Sequence, residues 1–195
     1  MITATIGTMK SEKTFKLIKL TEFLDIQHKK YVVFHPACCA KDEDGVVTRR
    51  GSQKAKAIKV FEIQDMYNYL KEVKACLIDE FTFLCSENHI DDFMEFLEYC
   101  DINGIDVYLF GLSLDYMSNS LDIAQRVLPY CDYIDTVSAR CEECGDTAKR
   151  CVRYINGELD NDPNSSLLIM EDKNVVYKSV CKKCYRELTD LPAIK

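Results

Sequence analysis

Apolar and polar positions alternate from Ile2 to Ile6, as a short strand requires. After an eight-residue polar stretch, Phe15, Leu17, Ile18, Leu20, Phe23 and Leu24 recur at helical spacing. A second strand is predicted over 31–34, ending in His35-Pro36, and residues 37–54 are polar, charged and glycine-punctuated. The run Ala75-Cys76-Leu77-Ile78 reads as a third, buried strand that delivers Asp79-Glu80 at its end. Residues 90–100 form an amphipathic helical pattern, 105–110 a fourth strand and 121–128 another helix. Helices between strands imply an α/β fold with a doubly wound, mostly parallel sheet whose ligand lies at the strands' carboxyl edge.

The stretch joining the first strand to the first helix is Gly7-Thr8-Met9-Lys10-Ser11-Glu12-Lys13-Thr14. Strand, loop and helix in that order are the setting in which G-x-x-x-x-G-K-[ST] wraps phosphates. Backbone N–H groups cradle the anion, the lysine neutralises it and the hydroxyl reaches Mg²⁺. The chain keeps Gly7, Lys13 and Thr14 but carries Glu12 at the last glycine position. A glutamate aimed at the phosphates would oppose them by on the order of 4 kcal/mol at ~4 Å. Turned to solvent, or paired with Lys10 or Lys13, it would not, although pairing with Lys13 would still occupy the cation meant for the phosphate. A P-loop-type site gains support from Asp79, placed to hold Mg²⁺ through water, and Glu80, placed to take a proton from an acceptor hydroxyl. Each motif also has a plainer reading, a turn without a ligand and a solvated strand end.

Two hooks, Cys141-Glu142-Glu143-Cys144 and Cys181-Lys182-Lys183-Cys184, have the spacing of a tetrahedral zinc site. Four thiolates leave no open position, so the expected zinc is structural. Seven other cysteines (38, 39, 76, 85, 100, 131 and 151) bring the total to an odd eleven, and the N-terminus does not resemble a secretory signal. A reducing compartment is expected.

Charge narrows the partners. The 25 basic and 32 acidic residues give a net charge of −7, which argues against nucleic acid or an anionic membrane as partner. Residues 136–195 are neutral, with ten basic and ten acidic side chains, so a DNA-reading finger is not expected. No apolar run approaches the ~18 residues of a membrane span. At 195 residues and 47% hydrophobic, the chain accommodates one α/β core over 1–135 and a small zinc-ribbon-like lid module over 136–195.

In order along the chain, four segments resemble the small, zinc-containing thymidine kinases of animals, bacteria, large DNA viruses and phages. Gly7 to Thr14 is similar to G-P-M-x-[SA]-G-K-[ST], and Asp79-Glu80-Phe81-Thr82-Phe83-Leu84 to D-E-x-Q-F-[FL]. Gly111-Leu112-Ser113-Leu114-Asp115-Tyr116 is similar to G-L-x-x-D-F, and Tyr177 to Tyr185 to Y-x-S-V-C-R-x-C-Y. The resemblance implies ATP- and Mg²⁺-dependent phosphoryl transfer to the 5′-hydroxyl of thymidine, often by a cytoplasmic homotetramer. It implies that residues 7–14, by number Gly7, Thr8, Met9, Lys10, Ser11, Glu12, Lys13 and Thr14, hold phosphate and Mg²⁺ with Asp79. Glu80 becomes the general base, Met9 and Tyr116 flank the base, and Tyr177 closes over the nucleoside. Cys141, Cys144, Cys181 and Cys184 become the zinc ligands. A viral or phage chain would work in host cytoplasm.

The departures also cluster. Besides Glu12, Cys39 and Lys41 replace an aspartate and an arginine in the segment starting at His35, which is followed by Thr48-Arg49-Arg50-Gly51. Ser120-Leu121-Asp122 stands at a P-F-G, and Ile169-Met170-Glu171 at an I-G-G. Two readings follow, a working nucleoside kinase with a tolerant loop, or a homologue without turnover that binds a nucleotide or a protein partner.

Overall fold

The computed structural model describes residues 1–39, 46–47, 54–84, 89–166 and 173–190. Lys41, Cys85, the 48–51 segment and Ile169-Met170-Glu171 lie outside the described residues. In chain order the elements begin with β1 (Ile2–Gly7), α1 (Lys13–Ile26), β2 (Tyr31–Pro36), β3 (Val46–Val47), β4 (Lys54–Ala55) and β5 (Ile58–Val60). They continue through α2 (Ile63–Met66), β6 (Ala75–Ile78), α3 (Ile90–Ile102), β7 (Asp106–Gly111), α4 (Asp122–Val127) and β8 (Tyr133–Val137). The C-terminal part holds β9 (Ala139–Arg140), β10 (Thr147–Ala148), β11 (Arg150–Ile155), β12 (Glu158–Leu159), β13 (Val175–Val180) and α5 (Lys182–Leu188).

Six strands form one parallel sheet in the order β5-β2-β6-β7-β1-β8. Side chains of a strand alternate between faces, and the central strands of this sheet are buried on both. Val32, Phe34, Cys76, Ile78, Val107 and Leu109 pack on one side with Phe93, Phe96 and Leu97 of α3 and Ile123 and Val127 of α4. Their neighbours Val33, Ala75, Leu77 and Phe110 face the other way, onto Leu17, Ile18 and Leu24 of α1. Strands dressed on both faces need apolar residues at every position, which is why 75–78 is an unbroken apolar run.

The arrangement brings the ends of β1, β2 and β6 to one edge, together with the N-terminus of α1. A Cβ on Gly7 would overlap the Val137 carbonyl oxygen and come within 2.7 Å of Val137 Cγ2 and 2.8 Å of Ser11 Oγ. β1 therefore turns into the loop only because position 7 has no side chain. Beyond the sheet, β11 and β13 pair antiparallel with β12 at the edge, and β9 and β10 form a two-stranded ribbon. α5 closes this smaller module through Tyr185, packed with Cys141, Val152 and Val180.

Candidate active site

The loop from Thr8 to Glu12 leaves β1 and runs straight into α1. Lys10 and Glu12 both adopt positive φ, 61° and 66°. Position 12 is thus left-handed, a conformation that costs an ordinary L-residue roughly 1–2 kcal/mol and a glycine nothing. Glu12 supplies its carbonyl to the Lys16 N–H at 3.1 Å, while its side chain is exposed. It does not pair with the neighbouring lysines, whose partners are elsewhere. Lys13 is 5% exposed and its Nζ donates to the carbonyls of Thr8 (2.9 Å) and Gly7 (3.3 Å). Ser11 Oγ donates to the Thr8 carbonyl at 2.7 Å.

Thr14, in the first turn of α1, places Oγ1 3.5 Å from Asp79 Oδ2. Asp79 follows β6 and is 2% exposed, and its Oδ1 accepts no hydrogen bond among the described residues. An orphaned buried carboxylate oxygen beside a threonine hydroxyl is a donor set suited to a hard cation or its water shell. From β2, the neighbouring strand, His35 Nδ1 comes within 3.5 Å of Asp79 Oδ2. Burial works against the imidazolium, but contact with Asp79, a backbone interaction at Cys39 and the charge of Glu80 outweigh it and raise the His35 pKa. Glu80 is next in line, held at φ 47° where it opens the 3₁₀ turn Phe81–Phe83. Cys38 and Cys39 sit in the 3₁₀ turn after β2, their sulfurs 3.7 Å apart. Their shared hydrogen bond brings the Cys38 thiol down to about 7 against the effect of burial, and it pushes Cys39 up.

Met9, Tyr116 and Tyr177 are brought together. Tyr116 (4% exposed) and Tyr177 (7%) are packed with Cys151 and Val175, and Met9 lies against them. The sequence reading missed the residue that organises this cluster, Arg153, whose side chain has no exposed surface. Its guanidinium lies 3.7 Å from the Tyr116 ring centroid and 5.9 Å from that of Tyr177. Asp160 pairs with it at 2.6 Å, Ser165 Oγ accepts at 2.7 Å, the Ser166 carbonyl at 2.6 Å and Tyr177 Oη at 3.3 Å. A signal was present in the sequence. Arg153 is in phase with Cys151 and Ile155 on β11, and a charge on the apolar phase of a strand marks a buried partner. The loop from 113 to 121 is tied by Asp115, whose Oδ1 accepts the N–H groups of Met117 and Asn119 at 2.8 Å each.

Cys141, Cys144, Cys181 and Cys184 converge so that all four sulfurs lie within 4.8 Å of one another. Cys144 and Cys181 sulfurs are 3.7 Å apart, close to the edge of a tetrahedron with metal–sulfur bonds of about 2.3 Å. The Cys184 N–H donates to Cys181 Sγ at 3.4 Å. Burial raises the Cys141 thiol, but N–H groups of Cys181, Cys144 and Glu143 reverse this and bring it to about 6. The donor set fits a structural zinc ion.

Two comparisons carry information on ancestry. A family model described as "Thymidine kinase" matches residues 1–185. Proteins named thymidine kinase from Streptococcus agalactiae serotype Ia and Streptococcus pyogenes serotype M3 are 28% and 27% identical over 183 residues, 92% of this chain and 93% of theirs.

Proposed function

The chain belongs to the thymidine kinase family, and we propose that it transfers a phosphoryl group from ATP to the 5′-hydroxyl of thymidine or a close deoxynucleoside. The observation that carries this reading is the approach of Thr14 Oγ1 to the buried Asp79 carboxylate, 3.5 Å away, at the mouth of the phosphate loop. Thr14 and Asp79 would hold Mg²⁺. When bound, that ion neutralises phosphate charge and orients the transferring group.

The chain's own residues supply the rest. Lys13 turns its ammonium from the Thr8 and Gly7 carbonyls to a phosphate oxygen. Glu80 accepts the proton of the attacking hydroxyl, with His35 Nδ1 lying 3.5 Å from Oδ2 of the neighbouring Asp79. Met9, Tyr116 and Tyr177 orient the nucleoside. On the same family grounds we propose a homotetramer acting in the cytoplasm, that of a host if the chain is viral or phage-borne, and on its net charge of −7 a protein without nucleic acid or membrane as partner. No helix among the described residues is long and apolar enough to cross a membrane.

A second reading, a homologue that binds without turnover, draws on two observations. Glu12 puts an exposed carboxylate on the phosphate loop, and the Arg153 guanidinium covers one face of Tyr116 at 3.7 Å. Zinc-loaded protein incubated with thymidine and Mg²⁺-ATP separates the two. Thymidine monophosphate formed by the parent and lost in Glu80→Gln supports the kinase. Its absence in both the parent and Glu12→Gly leaves the binding homologue.

A further inference from the structure

Between the two thiols of the first hook lie two glutamates, and each grips a lysine from a different part of the chain. Glu143 Oε1 takes Lys178 of β13 at 2.9 Å, a bond within the small module. Glu142 reaches out of the module. Both of its carboxylate oxygens accept from Lys10 Nζ at 2.9 Å, and Lys10 is in the phosphate loop 132 residues earlier.

The contact is reinforced on every side. Lys10 Nζ also donates to the Tyr177 carbonyl at 2.8 Å. Glu142 Oε1 accepts the Ser179 N–H at 2.7 Å, and the Glu142 N–H donates to the Ser179 carbonyl at 2.9 Å. Fully buried Ser179 donates its hydroxyl to the carbonyl of Met9 at 2.6 Å. Two consecutive loop residues, Met9 and Lys10, are thus anchored to the hook and to the strand that enters the second hook. Lys10 is one of the two left-handed positions of the loop. A residue so placed persists only when its surroundings over-determine it.

We propose that Glu142 is a positioning residue for the phosphate loop. Metal at the four cysteines fixes the backbone on both sides of Glu142, Glu142 fixes Lys10, and Lys10 holds the loop in its phosphate-ready form. Metal binding and nucleotide binding then favour one another by the same factor, because coupling between two sites is reciprocal. An ion pair about one-third exposed, with backbone donors added, sets that factor at about fivefold. The nucleotide arm rests on the function proposed above, and the loop arm does not.

The test uses the full-length, zinc-loaded parent with Glu142→Gln, Lys10→Met and the double variant. Amide hydrogen exchange of residues 8–14 is the first readout. Each single variant should lose about fivefold protection, and the double variant no more than either single. Undiminished protection in Glu142→Gln, or an effect of Glu142→Gln that persists in the Lys10→Met background, would overturn the proposal. Lys10→Met lies outside the hook, so it reads the latch even if the Glu142 variant binds zinc poorly.

The second readout is zinc affinity by chelator competition, with and without saturating Mg²⁺-ADP. ADP should tighten zinc about fivefold in the parent and leave Glu142→Gln unchanged, and equal tightening in both would also overturn it. A parent that does not bind ADP would remove the nucleotide function, while the exchange cycle would still decide the role of Glu142.

Discussion

Replacing Glu12 with glycine and, separately, with alanine divides the two physical effects at the most altered position of the phosphate loop. Position 12 is left-handed, with φ 66° and ψ 23°. An L-residue held there costs roughly 1–2 kcal/mol, and glycine returns that while adding about 0.5–1 kcal/mol of unfolded-chain entropy. The net gain for Glu12→Gly is about 0–1.5 kcal/mol, which in a chain of this size raises the melting midpoint by roughly 2–4 °C per kcal/mol gained. Glu12→Ala keeps the backbone strain and should leave the midpoint near that of the parent. Charge acts differently. The carboxylate is exposed, so at ~6 Å in a water-like dielectric it opposes each phosphate charge by about 0.7 kcal/mol, roughly threefold in affinity. Both variants lose that charge, so both should bind Mg²⁺-ADP several-fold more tightly, and the gain should shrink as salt rises. Thermal unfolding by circular dichroism, with ADP titrations at two salt concentrations, reads both effects. An alanine variant that gains as much midpoint as the glycine variant would refute the strain argument. Tightening confined to glycine would refute the charge argument.

Two further predictions concern the buried arginine. Arg153→Met leaves Asp160 buried without its cation, a loss of about 3–5 kcal/mol that should lower the melting midpoint on the order of 10 °C. Arg153→Met/Asp160→Asn should lose less than the sum of the single variants, and strict additivity would show that the two side chains are not energetically paired. Burial raises the Asp160 carboxyl, but hydrogen bonds from Arg153, Ser165 and the Asp162 N–H overcome it and set the pKa below its usual value of 3.8. A depressed carboxyl contributes stability that is present above the unfolded value and lost as pH falls through the folded one. Urea midpoints from pH 5 downwards should therefore fall more steeply in the parent than in Asp160→Asn, and parallel slopes would remove Asp160 as a source of acid sensitivity.

The central elements were legible because their signals are local. The alternation at 2–6, the apolar run at 75–78 and the helical spacing at 90–100 match β1, β6 and α3 to within two residues at each end. Both edge strands escaped. β5 has three residues, Ile58–Val60, and β8 is exposed over 133–136, so neither shows a buried run or a clean alternation. The cysteine hooks were legible because the metal dictates the spacing. The partners of Lys10, His35 and Arg153 were not, since Lys10 meets Glu142 across 132 residues and His35 meets Asp79 through strand order. The glycine pattern at position 12 was visible, and the structure adds a backbone reason for a glycine there, positive φ.

Whether the altered loop still takes a phosphate turns on what the ligand must displace. Lys13 Nζ is bound to two carbonyls of its own loop, at 2.9 and 3.3 Å. Such bonds are worth roughly 0.5–1.5 kcal/mol each, or somewhat more with a charged donor. A lysine–phosphate bond joins two full charges and is about twice as strong as a neutral one. The exchange favours phosphate, and the Thr8 carbonyl released by Lys13 keeps the hydrogen bond from Ser11 Oγ at 2.7 Å. Lys13 is therefore stored in its site. The opposing contribution comes from Glu12, whose strain is already spent in the folded protein and whose charge is screened. For the phosphate site proposed above, this balance favours binding, and the remaining departure from the family pattern is at the hydroxyl end, around Glu80 and the cysteine at position 39. There Cys39 stands where the resembled family has an aspartate, and its thiol is held neutral by Cys38 and by burial beside Asp79 and Glu80. One negative charge has gone from the acidic edge, where His35 Nδ1 lies 3.5 Å from Asp79 Oδ2. In the proposed reaction that change bears on proton removal, the step assigned to Glu80, more than on phosphate binding.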